Sequence, residues 1–250
     1  MTSVRIIGPG RAGTSLALAL TRVGWEVAPM LGRGDDVADA AADVQLLVIA
    51  TPDDVINETA KAVEPVPSTV VAHMSGALGL SELAPHPRRA SFHPLVALPN
   101  PEIGAKRLLG AWYGIGGDEA VIDKLVTALG GRSFALDDDD RALYHAAACI
   151  ASNHLVALLG QAERIAAGLE VPLEAYLDLA RATLDNVAEL GPRRALTGPA
   201  ARGDEATIRR HLRALPADER EAYRGMVEAA RLLARTPPPA PVDDDLGDSA

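Results

Sequence analysis

The chain has 250 residues, 48% of them apolar, a single cysteine and a formal net charge of −10. That apolar fraction fills one large core or two modest ones and excludes a disordered chain, while the acidic balance argues against nucleic acid as the main partner. Cys149 alone excludes an internal disulfide and fits a reducing compartment; without a basic segment ahead of a long apolar run, and with no apolar stretch of about 18 residues, the expectation is a cytoplasmic protein that neither carries a signal peptide nor engages a membrane.

In chain order, "VRIIG" (4–8) reads as a strand, and "AGTSLALALTRVG" has helical spacing and stops at Gly24. "WEVAPML" is a second strand and "VADAAADV" a short helix. "VQLLVIATP" is a continuous apolar run ended by Pro52, the pattern of a strand buried on both faces. "DDVINETAKAV" is helical, "STVVAHMSG" is a strand, and "FHPLVALP" is a rigid extended loop. "WYGIGG", a helix from Asp118 to Leu129, and "RSFAL" complete the first half. Strands alternating with helices predict an α/β class, with an N-terminal Rossmann-type doubly wound sheet over residues 1–137. After "LDDDDRAL" the periodicity becomes helical, and an all-α C-terminal domain is expected over 138–236. Its first helix runs to about Ala167, with Asp138 to Asp140 charging its start; the next opens on Pro172, followed by "ATIRRHLRAL" and "PADEREAYRGMVEAARLLAR". Residues 237–250 read as a disordered acidic tail.

Gly8-Pro9-Gly10-Arg11-Ala12-Gly13 is a GxGxxG between a strand and a helix, the context in which this motif binds a dinucleotide. Gly8 permits the turn, Gly10 lets a pyrophosphate approach the backbone, and Gly13 lets the helix pack on the strand, with amides at the helix start as donors. At the end of the second strand, where NAD enzymes place an acid, "LGRGDD" puts Arg33 first, a planar cation for a 2′-phosphate, with Arg11 near the adenine side. Arg33 favours NADP over NAD; Asp35 and Asp36 are the counter-evidence.

A hydride-transfer site gathers past the C-terminal ends of parallel strands. Thr51 and Pro52 follow one strand, and His73, Ser75 and Gly76 follow the next; His93 precedes a proline in "FHPL". On the long helix His145, Cys149, Ser152 and Asn153 fall within about 100° of one another at α-helical spacing. The alternative is that these groups face solvent or bond within the helix. His73, His93 and His145 also invite a metal reading, but no metal-binding spacing supports one, and no metal is expected. His86 and His211 read as surface residues.

With "GPGRAG", "ATPDD", "HMSGALG", "FHPL", "ASNH" and "LTGPAARGD" in hand, the chain resembles, over about residues 3–235, bacterial proteins joining a Rossmann-like NADP-binding domain to a helical domain of unknown function. These oxidoreductase-like proteins are similar to ketopantoate reductase, pyrroline-carboxylate reductase and the beta-hydroxyacid dehydrogenases. The resemblance implies NADP, a homodimer through the helical domain, and a substrate site among Ser75, Gly76, His93, Asn153 and the Thr197–Asp204 turn. One departure matters. Ketopantoate reductase and the beta-hydroxyacid dehydrogenases use a helix lysine one turn before an asparagine, where this chain has Cys149; its lysines, Lys61, Lys106 and Lys124, all lie in the first half. Protonation must then come from a histidine, a hydroxyl or water.

In "LTGPAARGD" the glycine and proline bring backbone close to a ligand, Arg202 holds an anionic group of the substrate, and Asp204 caps the next helix or fixes Arg202. The alternative is a structural turn with a surface ion pair. The expected function is an NADP-dependent reductase of a small keto or imino acid, with His93 or His73 as proton donor, Ser75 and Asn153 orienting the substrate and Arg202 as clamp. A non-catalytic NADP-binding sensor or assembly protein is the alternative.

Overall fold

A computed structural model describes residues 2–235; the acidic tail read at 237–250 lies outside the described residues. The chain divides into two compact units, Met1–Asn153 and His154–Ala250.

The first unit is built on a seven-stranded sheet in the order β2-β1-β3-β4-β5-β6-β7. The strands are β1 (Ser3–Ile7), β2 (Glu26–Val27), β3 (Leu46–Ile49), β4 (Val70–His73), β5 (Arg89–Pro94), β6 (Trp112–Gly117) and β7 (Arg132–Ala135). All pairings are parallel except β5 with β6. Strand order reverses around β1, so a crevice opens past the ends of β1 and β3, the usual ligand position in such sheets. The segment read as a rigid loop around His93 is the strand β5; its side chains alternate across the sheet, Phe92 into one core and His93 to the opposite face.

The helices are α1 (Arg11–Arg22), α2 (Ile56–Ala62), α3 (Pro101–Leu108), α4 (Glu119–Ala128) and α5 (Arg141–Cys149). One face of the sheet, with Val4, Ile6, Leu46, Val48, Ala72 and Phe92, packs on α1, α3 and α4. Helix α3, unread in the sequence, meets α1 where a Cβ on Gly104 would sit 2.1 Å from Ser15 Oγ, so only glycine allows that approach. Ile7, Leu47, Ile49 and Val71 face α2 on the other side. "VADAAADV" is a series of turns, not a helix. Its carbonyls are bonded elsewhere, those of Ala40 and Ala42 by Arg5 at 2.9 and 3.2 Å and that of Ala41 by Thr69 at 2.8 Å, which removes the acceptors a helix needs. His86, read as a surface residue, is instead buried, its Nε2 bonded to the Ala60 carbonyl at 2.9 Å.

The first unit extends past the boundary expected at residue 137 because α5 packs on the sheet through Arg141, which is 1% exposed. The helical run is not uniformly α-helical. A wide π turn spans Ile150–His154 before α6 (Leu155–Ala166) resumes, so α-helical angles do not carry across Ser152 and Asn153. The run over 138–166 is long and apolar enough, by length and composition alone, to cross a membrane; its best 18-residue window has a mean hydropathy of 1.4. His145, Ser152, Asn153 and His154 interrupt this run, so it is not a continuous apolar stretch.

The second unit continues from α6 with α7 (Leu173–Leu190), α8 (Pro192–Ala195), α9 (Pro199–Arg202), α10 (Glu205–Ala214) and α11 (Arg220–Arg235). Glu219, before α11, ties the helices together by accepting from Arg164 at 2.6 Å and Gln161 at 3.1 Å on α6.

Candidate functional site

The phosphate loop lies between β1 and α1. Gly8 has φ +106°, and a Cβ on it would lie 2.7 Å from the Ala50 carbonyl group, so this loop meets the end of β3 backbone to backbone. A Cβ on Gly13 would lie 2.1 Å from the Gly8 carbonyl oxygen, which is what lets the helix start so close to the strand. Gly10 differs: nothing lies within 4 Å of its Cβ position, and its φ of −78° suits any residue. The space that a side chain here would occupy is open. The Thr14 amide makes the helix's first bond, to the Gly10 carbonyl at 2.9 Å. The amides of Arg11, Ala12 and Gly13 precede it and carry the positive end of the helix dipole.

The segment after β2 closes over this loop. The Gly8 amide donates to the Leu31 carbonyl at 2.8 Å, and Pro9 packs on Gly32. Asp35 accepts the Gly32 amide at 2.7 Å, and Asp36 accepts the Ala38 amide at 3.0 Å. Both acids that weighed against NADP are thus bound into local turns, while Arg33 is exposed. Past β3, the Thr51 hydroxyl is buried without a hydrogen-bond partner.

A second cluster lies on the face of the sheet opposite α1, where β4 and β5 lie under α5. His73 is in register with Ser91, and His93 lies two residues on, so the three share one face. Opposite Ser91 and His93 on β6 stand Gly116 and Gly114. A Cβ on Gly116 would lie 3.1 Å from Arg141 Nη2, and one on Gly114 would lie 3.2 Å from the Phe134 ring. These alternating glycines in "WYGIGG" make room for what covers the face, and they are the sequence signal for it.

Four groups not read as site residues in the sequence complete the cluster: Asp53, Arg141, Asp138 and Tyr144. Ser75 donates to Asp53 at 2.7 Å and accepts from the amides of Ala77 and Leu78 at 3.2 and 3.1 Å. Arg141 bonds Asp138 at 2.8 Å and donates to Ser91, while its Nη1 is buried without a partner. Asp138, expected to charge the start of the long helix, also accepts the Leu80 amide at 2.9 Å. Burial alone pushes the Asp138 carboxyl up, but the bonds from Arg141 and Leu80 outweigh it and hold the group below its usual range. His73 is fully buried, with Nε2 against the Gly79 carbonyl at 3.3 Å and Nδ1 unpartnered. Burial and the Arg141 charge lower its pKa to about 4. His93 is half-buried, and burial, with His145 beside it, lowers its pKa to about 4. Its Nδ1 lies 2.6 Å from the Tyr144 hydroxyl, whose pKa burial raises to about 12. Gly76 fits against both imidazoles: a Cβ there would lie 2.9 Å from His145 and 3.0 Å from His93 Nε2.

His73, Ser75, Gly76, His93 and His145 therefore come together; Gly8, Gly10, Arg11, Ala12 and Gly13 lie in the loop and first turn after β1, Arg33 lies past β2, and Thr51 and Pro52 follow β3. Asn153 is exposed at the end of the first unit. Arg202 is exposed at the end of α9 in the second unit, and Asp204 caps α10 by accepting the Thr207 amide at 3.0 Å. Cys149 Sγ lies 3.9 Å from His145 Nε2. Among the described residues no three His, Cys, Asp or Glu side chains are grouped to hold a metal ion.

Residues 114–230 match the family model of a domain of unknown function, DUF2520. No curated protein matches the chain. Solved structures similar to it include a Bacteroides fragilis protein provisionally assigned as an NADP oxidoreductase, 23% identical over 94% of this chain and 96% of that one, with a TM-score of 0.73. A Thermotoga maritima protein is 22% identical over 92% of this chain and 98% of its own, with a TM-score of 0.68. The Aspergillus terreus reductive aminase, in complex with NADPH and ethyl levulinate, is 17% identical over 92% and 93%, with a TM-score of 0.69. The chain thus has the Rossmann-type fold of these proteins, and its residues 114–230 are similar to the DUF2520 domain.

Proposed function

We propose that the protein is an NADP-dependent oxidoreductase that reduces a small keto or imino acid. The observation that carries this reading is the open backbone at Gly10, at the crevice where the strand order reverses, with the neutral His93 cluster on the same sheet. The residues fit the cofactor. The amides of Arg11, Ala12 and Gly13 suit a pyrophosphate, and exposed Arg33 suits a 2′-phosphate. The orphaned Thr51 hydroxyl, with Pro52, suits the nicotinamide side. The provisional assignment of the Bacteroides fragilis protein and the NADPH held by the reductive aminase support the same cofactor. When bound, NADPH supplies a hydride.

The chain's own residues then handle the charge that forms. Among the described residues His93 Nε2 makes no hydrogen bond, and it is not sealed from solvent; as a neutral imidazole it donates a hydrogen bond to the anion that hydride transfer creates, and solvent water supplies the proton. His73 has no accessible nitrogen and holds the Gly79 loop instead. Ser75, held by Asp53, shapes the loop that presents Gly76. Asn153 and Arg202 are assigned to the substrate, Arg202 as the clamp for its anionic group. The exposed Leu169, Leu179 and Leu184 of the helical unit support a second copy of the chain as the partner that covers them, and the lone Cys149 supports a reducing, cytoplasmic setting.

The second reading, a non-catalytic NADP-binding protein, rests on Cys149 standing where related reductases have a lysine. NADPH consumption against a panel of keto and imino acids, alone and with amines, separates the two. Turnover that falls with His93→Gln supports the reductase. NADPH binding without turnover on any of the panel supports the sensor.

A further inference from the structure

We propose that Tyr144 is a positioning residue that fixes His93 as the Nε2–H tautomer, so that the imidazole presents a hydrogen-bond donor at Gly76. The argument begins with proton counting. The Tyr144 hydroxyl lies 2.6 Å from His93 Nδ1, and among the described residues it has no other hydrogen-bond partner. If Nδ1 carried the proton it would donate to the Tyr144 oxygen, and the hydroxyl hydrogen would be left without an acceptor among the described residues. With Tyr144 donating, Nδ1 accepts and the ring's one proton resides on Nε2. That nitrogen points at the space beside Gly76, where even a methyl group would come within 3.0 Å.

The tyrosine is itself held. Its ring meets Phe134 edge-on at 5.7 Å, and Phe134 fills the space left by Gly114, in register with His93. His93 and Tyr144 cross at 86°, which sets the imidazole plane. The charged and titratable groups around the pair are His145 on α5, Asp53 after β3, His73 on β4 and Arg141 at the start of α5. Arg141 lies between the sheet and the helix and disfavours a second proton on the ring. A neutral imidazole that donates from one nitrogen and accepts at the other is the electrophile a developing alkoxide or amide anion needs.

The tautomer is a property of the cofactor-free chain; its catalytic meaning rests on the reductase reading. The test is long-range proton–nitrogen NMR of the 15N-labelled full chain at pH 7.5 without ligand, with His93→Gln assigning the resonances. The wild type should show Nε2 protonated and Nδ1 as an unprotonated acceptor. Tyr144→Phe, which keeps the ring and its contact with Phe134, should move both nitrogens toward the averaged positions of an exchanging imidazole. A proton on Nδ1 in the wild type overturns the proposal, and so does a Tyr144→Phe spectrum unchanged at both nitrogens. The wild-type spectrum decides the tautomer even if the variant does not fold. In turnover, Tyr144→Phe should lower kcat about 10- to 100-fold, the scale on which outer partners that orient a metal-bound histidine act, with KM for NADPH unchanged. If NADPH neither binds nor is consumed, the reductase reading fails while the spectrum still stands.

Discussion

Gly10→Ala separates folding from cofactor binding. Nothing lies within 4 Å of the added methyl group, and the backbone at φ −78° and ψ −171° suits alanine. The free chain should therefore be stabilised by about 0.4–1 kcal/mol through its unfolded state, which for a chain of this size raises Tm by roughly 1–4 °C. The pyrophosphate, however, must occupy the space the methyl takes. NADPH at 100 times its Kd should add about 2.7 kcal/mol to the wild type, roughly 5–11 °C. If the methyl weakens binding about 100-fold, the same NADPH concentration adds only about 0.4 kcal/mol, roughly 1–2 °C. Thermal melts of both proteins with and without NADPH read all four numbers. A variant that keeps the full NADPH shift refutes the phosphate-loop reading. A free variant that melts several degrees lower refutes the claim that Gly10 is open for a ligand and not for packing.

Three further outcomes follow from the same geometry. Arg33→Ala should remove the preference for NADPH over NADH in matched melts while leaving NADH stabilisation intact; equal losses with both would disprove a 2′-phosphate role. Stability should fall with acid. His73 and His93 have folded pKa values of about 4 against an unfolded 6.5, so the unfolded chain binds more protons below that value. The stabilisation is present in full above pH 6.5 and is lost as pH falls toward 4, by roughly 2 kcal/mol per histidine at pH 5. Denaturant midpoints at pH 5 and 7 should show this slope in the wild type and about half of it in His93→Gln. Asp204→Ala removes the cap on the Thr207 amide and should cost about 0.5–2 kcal/mol, with Asp204→Asn restoring most of it in the same unfolding assay.

The turn that interrupts the helical half shows how far local chemistry reaches. Asp204 followed by a helical pattern offered a cap as one of two roles, and the cap forms because it needs only an amide three residues on. The phosphate loop is legible for the same reason: glycines between a strand and a helix act on backbone a few residues away. Tyr144, Arg141 and Asp138 carry no such mark. Their partners are 50 or more residues distant in the chain, His93 for Tyr144, Ser91 for Arg141 and Leu80 for Asp138. The alternating glycines of β6 hinted at a covered face without naming what covers it.

What the amino-acid order determined by itself was the alternation of strands and helices, the glycine loop between β1 and α1, and the change to an all-helical second half, all set by periodicity and short-range hydrogen bonding. Only the tertiary structure decided that β5 is a strand, that "VADAAADV" gives its carbonyls to Arg5 and Thr69, that His73 is sealed in the core while His93 keeps an accessible nitrogen, and that a π turn shifts the face of the long helix. Each of these depends on which distant groups compete for the same hydrogen bond or the same space, and that competition is settled only when the sheet and helices have packed.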